Sequence, residues 1–288
     1  MSGAHRAAVL GSPVAHSLSP VLHRAAYLSL GLPDWQYDAI EIDAPDDLRR
    51  FVTTRDVSWA GLSLTMPLKR WVQPVLGQVS ELAAATGSVN TVLFHAGRAP
   101  SGHNTDVHGV RAALLEGGLT SCARGVVLGG GATAASAVAA LGRLGCARPQ
   151  VVVRSPERAV DVVAAGRALG VGVDLVAWSH APALLERADV VVSSVPSDAH
   201  EEVRAVLPAA VHGLLLDVSY HPWPSEVATA WRERGGQAVS GFAMLLHQAV
   251  AQVALMTGSD PDVAAMRAAG EAALRSVTER DANDPNRG

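Results

Sequence analysis

Cysteine is scarce in this chain: Cys122 and Cys146 are the only two among 288 residues. Their spacing suggests neither a metal-ligand pair nor a disulfide framework, and the eleven histidines form no paired-ligand motif, so no metal is expected. No apolar run reaches the ~18–20 residues of a membrane span, and residues 1–11 lack the apolar core that a secretory signal needs. The expectation is a cytoplasmic protein with no membrane partner. A net charge of −4, with basic residues scattered along the chain, leaves no electrostatic footprint for nucleic acid. Internal repeats and low-complexity linkers are also missing, and the Ala134–Ala140 segment reads as an ordinary small-residue helix face. The partners expected are small molecules, bound by a monomer or homodimer.

What is present is apolar bulk in an ordered alternation. With 49% hydrophobic residues and a mean hydropathy of +0.20, the chain can fill roughly two domains, each with its own core. Strand-like and helix-like stretches alternate, which predicts α/β architecture with parallel sheets covered by helices. Ser19-Pro20 offers a capping hydroxyl and an N1 proline before a helix over 21–30, closed by Gly31, with Leu22, Ala25, Ala26 and Leu30 on one face. A helix over 242–257 ends at Gly258. Another should begin around Asp260-Pro261 and run to about Thr278, followed by a polar, frayed tail.

The style changes near residue 108. Residues 125–128 read as a strand, followed by a glycine turn, a helix to about Leu144 and a second strand over 150–153. Gly129-Gly130-Gly131-Ala132-Thr133-Ala134 fits G-x-G-x-x-A, in which glycines allow a tight turn and close backbone approach while the helix N-terminus faces a pyrophosphate. A structural glycine turn is the competing reading, but the placement between strand and helix favours a dinucleotide site. At the end of the second strand an NAD site usually carries Asp or Glu. Here stand Arg154-Ser155-Pro156-Glu157-Arg158, two guanidiniums suited to a 2′-phosphate and hence to NADP. The alternative is a solvated basic edge in which Glu157 and Asp161 pair with the arginines.

Polar groups also follow apolar strands in the N-terminal half. Gly61-Leu62-Ser63-Leu64-Thr65-Met66-Pro67-Leu68-Lys69, Gly87-Ser88-Val89-Asn90-Thr91 and Asn104-Thr105-Asp106 place an ammonium, an amide and a carboxylate just past or beside strands expected over 59–64 and 89–94. Such groups serve to bind something polar rather than to pack. Gln248 shares a helical face with Met244, Ala251 and Leu255, so its amide needs a partner, whether a ligand or a structural hydrogen bond.

Taken in order, these motifs resemble the shikimate dehydrogenase family over nearly the whole chain. The residues that carry the resemblance are Gly11-Ser12-Pro13-Val14-Ala15-His16-Ser17-Leu18-Ser19-Pro20, Thr65-Met66-Pro67-Leu68-Lys69, Asn90-Thr91, Asn104-Thr105-Asp106, the glycine turn, Asp217-Val218-Ser219-Tyr220, and Gly241-Phe242-Ala243-Met244-Leu245-Leu246-His247-Gln248. The resemblance implies an N-terminal α/β substrate domain, residues 1–107 completed by C-terminal helices over 241–280. It also implies a Rossmann NADP-binding domain over 108–240 and a flexible tail over 281–288.

For activity, the resemblance implies reversible reduction of 3-dehydroshikimate to shikimate. Lys69 and Asp106 would share the proton work, while Ser17, Ser19, Thr65, Asn90, Tyr220 and Gln248 join them in binding substrate. Reference pKa values of about 10.4 and about 4 mean that burial or mutual contact must tune the Lys69/Asp106 pair. Helix capping is the competing role for Ser19. On the cofactor side the resemblance carries over Gly129, Gly130, Gly131, Ala132, Thr133, Arg154, Ser155, Arg158, Val218 and Gly241. Departures from the common pattern bear on fine specificity: Ser63 replaces Asn, Val153 and Ser155 replace the Asn and Thr flanking Arg154, and Ser193-Ser194-Val195-Pro196 replaces an Asn-Ala-Thr-Ser-like run. Two rival readings are a quinate/shikimate dehydrogenase using NAD, which Arg154 disfavours, and a non-catalytic dinucleotide sensor, which has no use for Lys69 with Asp106.

Overall fold

The computed structural model describes residues 5–282, except for the side chains of Arg158, Asp281 and Ala282. The chain opens with β1 (His5–Gly11), α1 (Ser19–Ser29), β2 (Trp35–Glu41), α2 (Pro45–Thr53), β3 (Trp59–Leu64), α3 (Leu68–Trp71) and β4 (Gln78–Val79). It continues through α4 (Glu81–Thr86), β5 (Thr91–His95), β6 (Arg98–His103), α5 (Asp106–Glu116), β7 (Gly125–Leu128), α6 (Ala132–Arg143), β8 (Gln150–Val153), α7 (Val160–Ala168) and β9 (Asp174–Ala177). It ends with α8 (Ala181–Leu185), β10 (Val190–Ser193), α9 (His200–Ala205), β11 (Leu214–Asp217), α10 (Glu226–Glu233), β12 (Gln237–Ser240), α11 (Gly241–Thr257) and α12 (Val263–Ala282). No helix among the described residues is long and apolar enough to cross a membrane.

The described residues fall into two compact units. One holds the chain as far as Val79, Val89–His103 and the chain from Ala249 on; the other holds Ser80–Ser88 and Asn104–Gln248. The chain crosses between the units at Val79/Ser80, Ser88/Val89, His103/Asn104 and, inside α11, Gln248/Ala249, whereas the expected boundaries were 107/108 and 240/241 with 80–88 in the first domain.

The first unit is built on a mixed sheet in the order β2-β1-β3-β5-β6-β4. β1 is parallel to β2 and β3, whereas β5 runs antiparallel to β3 with Ser63 opposite Thr91. That register puts the carboxyl ends of β1 and β3 beside the start of β5. Helix α1 buries Leu22, His23, Ala26 and Tyr27, a face rotated from the expected Leu22/Ala25/Ala26/Leu30 stripe because His23 and Tyr27 find polar partners inside. Gly31 takes φ +67°, the left-handed conformation expected just past the helix end. α12 starts later than expected, at Val263, because Asp262 accepts from the Ala264 and Ala265 amides as its cap. It runs on to Ala282; the rest of the expected tail, 283–288, lies outside the described residues.

The second unit is a six-stranded all-parallel sheet in the order β12-β11-β10-β7-β8-β9. Parallel strands are covered on both faces, so β7, β10 and β11 are buried throughout and read as unbroken apolar runs. Alternation divides them between two cores. Val127, Val192 and Leu216 join Val110, Leu114, Val138 and Leu141 on one face, while Val126, Leu128, Val191 and Leu215 join Leu185, Val203 and Trp231 on the other. The strand order reverses between β7 and β10, the crevice position where doubly wound sheets bind dinucleotides.

Candidate active site

In the first unit the expected substrate residues gather at one edge of the sheet. Ser17 and Ser19 follow β1, Thr65 to Lys69 follow β3, and Asn90 precedes β5. The backbone knits these segments together: Thr65 N–H donates to Leu10 O at 2.9 Å, Leu64 N–H to Asn90 O at 2.8 Å, and Val89 N–H to Lys69 O at 2.9 Å. Gly11 is required at this junction, since a Cβ there would collide with the Thr65 side chain. Lys69 lies half-buried on α3. Neither serine caps α1 through its side chain: the helix begins at Ser19 with Leu18 as N-cap, and Ser17 Oγ accepts the Ser19 amide at 3.2 Å.

Ser19 is buried, as is a hydrogen-bonded chain that begins at the Tyr37 phenol. Tyr37 donates to Ser63 Oγ at 2.6 Å, and Ser63 donates to Gln252 Oε1 at 2.7 Å. Gln252 Nε2 donates to Asn90 O and to Thr91 Oγ1, both at 3.1 Å, and Thr91 donates to Asn90 Oδ1 at 2.9 Å. His23 Nε2 also meets Gln252 Oε1, at 3.3 Å. All of these side chains are buried. The sequence reading singled out Ser19, Ser63 and Asn90 but missed Tyr37, His23 and Gln252. A signal existed: Gln252 stands one helical turn after Gln248 in the apolar α11, and an amide there has to be satisfied inside.

His23 carries a pH signature. Because a side-chain amide oxygen only accepts, the His23 proton sits on Nε2, and burial pulls its pKa down to about 3 despite the Gln252 bond. An unfolded histidine titrates near 6.5. Between these values the unfolded state binds more protons, so stability falls as pH drops through that window. Going from pH 7 to pH 5 should cost about 2 kcal/mol from this group. His23→Phe keeps the ring that stacks on Tyr37 at 3.9 Å and removes the titration. Urea unfolding at the two pH values should therefore give the variant a flatter pH dependence, even though it is less stable at pH 7.

In the second unit the expected cofactor residues follow the carboxyl ends of the parallel strands. Gly129 takes φ +107°, and a Cβ there would meet Ser194 Oγ at 2.6 Å, so only glycine permits the turn. Ser194 accounts for its own place in the departing run: its Oγ donates to Leu128 O at 2.8 Å and braces β10 against the turn. Gly131 is the N-cap of α6 and brings no side-chain cap, so the first-turn amides keep their capacity for an anion. Gly130, Ala132 and Thr133 complete this turn. Gly241 lies so close to Val218 that any side chain would collide with its backbone, and Gly241 N–H donates to Ser219 O at 3.1 Å, which brings two expected cofactor residues together.

Arg154 is exposed just past β8 and bonds both carboxylate oxygens of Glu202, at 2.8 and 2.9 Å. Pairing of Arg154 with Glu157, the competing reading, does not form: Glu157 accepts from Ser155 Oγ at 2.5 Å. The Arg158 side chain lies outside the described residues.

Asp106 is buried at the first position of α5. Asn104 fixes that start: its Oδ1 accepts from Val107 N–H at 3.2 Å, while its Nδ2 contacts Thr86 Oγ1 and Ser88 O at 3.0 Å and Ser136 Oγ at 3.1 Å. Gln248 donates to Leu245 O at 2.9 Å and accepts from Thr105 at 3.5 Å. It is buried, but the face it was expected to share ends at an exposed Leu255. Burial raises the Tyr220 phenol above its ordinary range, which keeps it a neutral donor. Among the described residues no cluster of His, Cys, Asp and Glu could hold a metal.

The family model of the shikimate dehydrogenase substrate binding domain matches residues 9–92, and that of the shikimate 5′-dehydrogenase C-terminal domain matches residues 241–269. The shikimate dehydrogenase (NADP(+)) of Rubrobacter xylanophilus is 34% identical over 272 residues, covering 91% of this chain and 93% of that protein. The chain belongs to the shikimate dehydrogenase family. It also matches the pentafunctional AROM polypeptide of Eremothecium gossypii at 30% identity, but spans only 17% of that polypeptide's length. Among solved structures, the Mycobacterium tuberculosis shikimate dehydrogenase is 38% identical with a TM-score of 0.85, covering 93% of this chain and 99% of that one. The Thermus thermophilus shikimate 5-dehydrogenase, in complex with NADP(H) and shikimate, is 30% identical with a TM-score of 0.78 over 94% of this chain and 100% of its own. A quinate dehydrogenase from Corynebacterium glutamicum, in complex with NAD, is 28% identical with a TM-score of 0.82 over 94% and 100%.

Proposed function

We propose that this member of the shikimate dehydrogenase family is an NADP-dependent oxidoreductase that interconverts 3-dehydroshikimate and shikimate, within aromatic amino acid (chorismate) biosynthesis. The observation that carries the reading is the edge of the first unit's sheet, where Ser17, Ser19, Thr65, Lys69 and Asn90 are collected from three separate segments. An ammonium, an amide and hydroxyls at one edge suit a substrate that is itself a carboxylate with hydroxyls.

The second unit fits a dinucleotide. The left-handed Gly129 and the α6 start without a side-chain cap form a cradle that a Cβ would fill. Gly129 to Thr133 would hold the pyrophosphate, Arg154, Ser155 and Arg158 the 2′-phosphate, and Val218 and Gly241 a further part of the cofactor. When bound, NADPH supplies the hydride. Ser17 and Ser19 bind the substrate carboxylate, and Thr65, Asn90, Tyr220 and Gln248 bind and orient its hydroxyl groups. Lys69 and Asp106 hold and move the proton at the oxygen that becomes the alcohol. Monomer or homodimer, the enzyme works in the cytoplasm.

The deciding experiment assays purified protein with shikimate or quinate and NADP⁺ or NAD⁺, followed by reduced-nicotinamide absorbance. The expected result is kcat/KM highest for shikimate with NADP⁺. Preference for quinate with NAD⁺ would establish the rival dehydrogenase, and no turnover in any combination would establish a sensor.

A further inference from the structure

The buried chain around Gln252 has a direction, and acceptor-only groups set it. The Asn90 backbone carbonyl cannot donate, so the group facing it at 3.1 Å is Gln252 Nε2, and Oε1 faces Ser63 and His23. All four hydrogen-bonding capacities of the carboxamide are then used: two donated to Asn90 O and Thr91 Oγ1, two accepted from Ser63 and His23. Each neighbour has one proton and its use follows. Ser63 must donate to Oε1, so Tyr37 donates to Ser63. Thr91 accepts from Nε2, so its single proton goes to Asn90 Oδ1. One arm thus ends on the Asn90 amide, the residue at the sheet edge whose side chain meets this network.

We propose that Gln252 is a positioning residue for substrate binding. Its saturated carboxamide sets the rotamer of Asn90 through Thr91. Asn90 is held with Oδ1 on Thr91, so its Nδ2 edge is the one aligned for a substrate hydroxyl oxygen. Ser63 is the right size for this arrangement, because a hydroxyl both accepts from Tyr37 and donates to Gln252 across 2.6 and 2.7 Å. The inference rests on the proposed shikimate activity and adds the residue that orients one of its binding groups.

The test uses isosteric cuts. Thr91→Val severs the Asn90 arm, and Gln252→Leu removes its anchor; Thr91→Ser restores a hydroxyl. Steady-state kinetics in shikimate and NADP⁺ are measured for each, with circular dichroism and thermal unfolding as the control for folding. Thr91→Val should raise shikimate KM roughly three- to tenfold, the range of one hydrogen bond, with NADP⁺ KM unchanged and Thr91→Ser close to wild type. If wild type turns over shikimate and Thr91→Val, correctly folded, loses thermal stability but keeps wild-type shikimate KM, the network is structural only and the inference fails. Should Gln252→Leu not fold, Thr91→Val with Thr91→Ser still decides. Wild type without shikimate turnover would instead bring down the functional reading itself, a result visible before any variant is made.

Discussion

Lys69→Ala should lower kcat by about 10²–10⁴ while shikimate KM changes far less, because losing a general acid/base group removes a transition-state interaction rather than a ground-state one. Lys69 stands on α3, a single turn whose start is tied to Thr65 by the Leu68 N–H bond to Thr65 O at 2.9 Å. The Lys69 carbonyl also accepts from Val89 at 2.9 Å, so the backbone under the ammonium is held at both ends and should survive truncation of the side chain. Asp106→Asn should behave likewise, since Asn104 rather than Asp106 supplies the side-chain bond to Val107 N–H that starts α5. Steady-state kinetics with circular dichroism checks both variants. Near-wild-type kcat in folded Lys69→Ala protein would end the assignment.

Arg154→Asp should raise the NADP⁺ KM at least tenfold, about 1.4 kcal/mol or more, and leave NAD⁺ little affected or improved. A guanidinium makes charge-assisted, often bidentate bonds to a 2′-phosphate and gains none of them from a 2′-hydroxyl. Arg154 is already paired with Glu202, but that pair is exposed, at 60% and 48% of the side chains, and such pairs are worth little in water. A dianionic phosphate can therefore displace it. The penalty in the variant should shrink with added salt, because an exposed phosphate pocket is screened. Measuring kcat/KM for both cofactors at two ionic strengths decides: an unchanged NADP⁺/NAD⁺ ratio would show Arg154 to be part of a solvated edge, engaged with Glu202 alone.

Much of this molecule is legible in one dimension, wherever a local rule is strong. Strands at 59–64, 125–128 and 150–153 stand where they were expected; the last two carry the Val- and Leu-rich runs that parallel strands buried on both faces need. Gly31 and Gly258 adopt positive φ just past their helices, which a residue without Cβ does at least cost. The glycine turn stands between β7 and α6 as its spacing required.

Helix boundaries and faces were less legible, because competing local partners share a short stretch. Ser19 before Pro20 has the pattern of a cap, yet α1 begins at Ser19 itself with Leu18 as N-cap, and Ser17 accepts the Ser19 amide. The α1 stripe expected from apolar residues alone is displaced toward His23 and Tyr27, since a histidine and a phenol can be buried when their polar atoms are answered, and that depends on distant residues.

By itself the sequence determined the α/β class, the glycine turn between β7 and α6 and the family, all of which follow from periodicity, glycine conformation and the order of short motifs. Tertiary structure alone decided the partners of the polar side chains. Gln252 answers Ser63 from 189 residues away, and Arg154 pairs with Glu202 from 48 residues away rather than with its neighbour Glu157. A hydrogen bond is satisfied by whatever acceptor the fold brings within about 3 Å, and sequence separation says almost nothing about that distance.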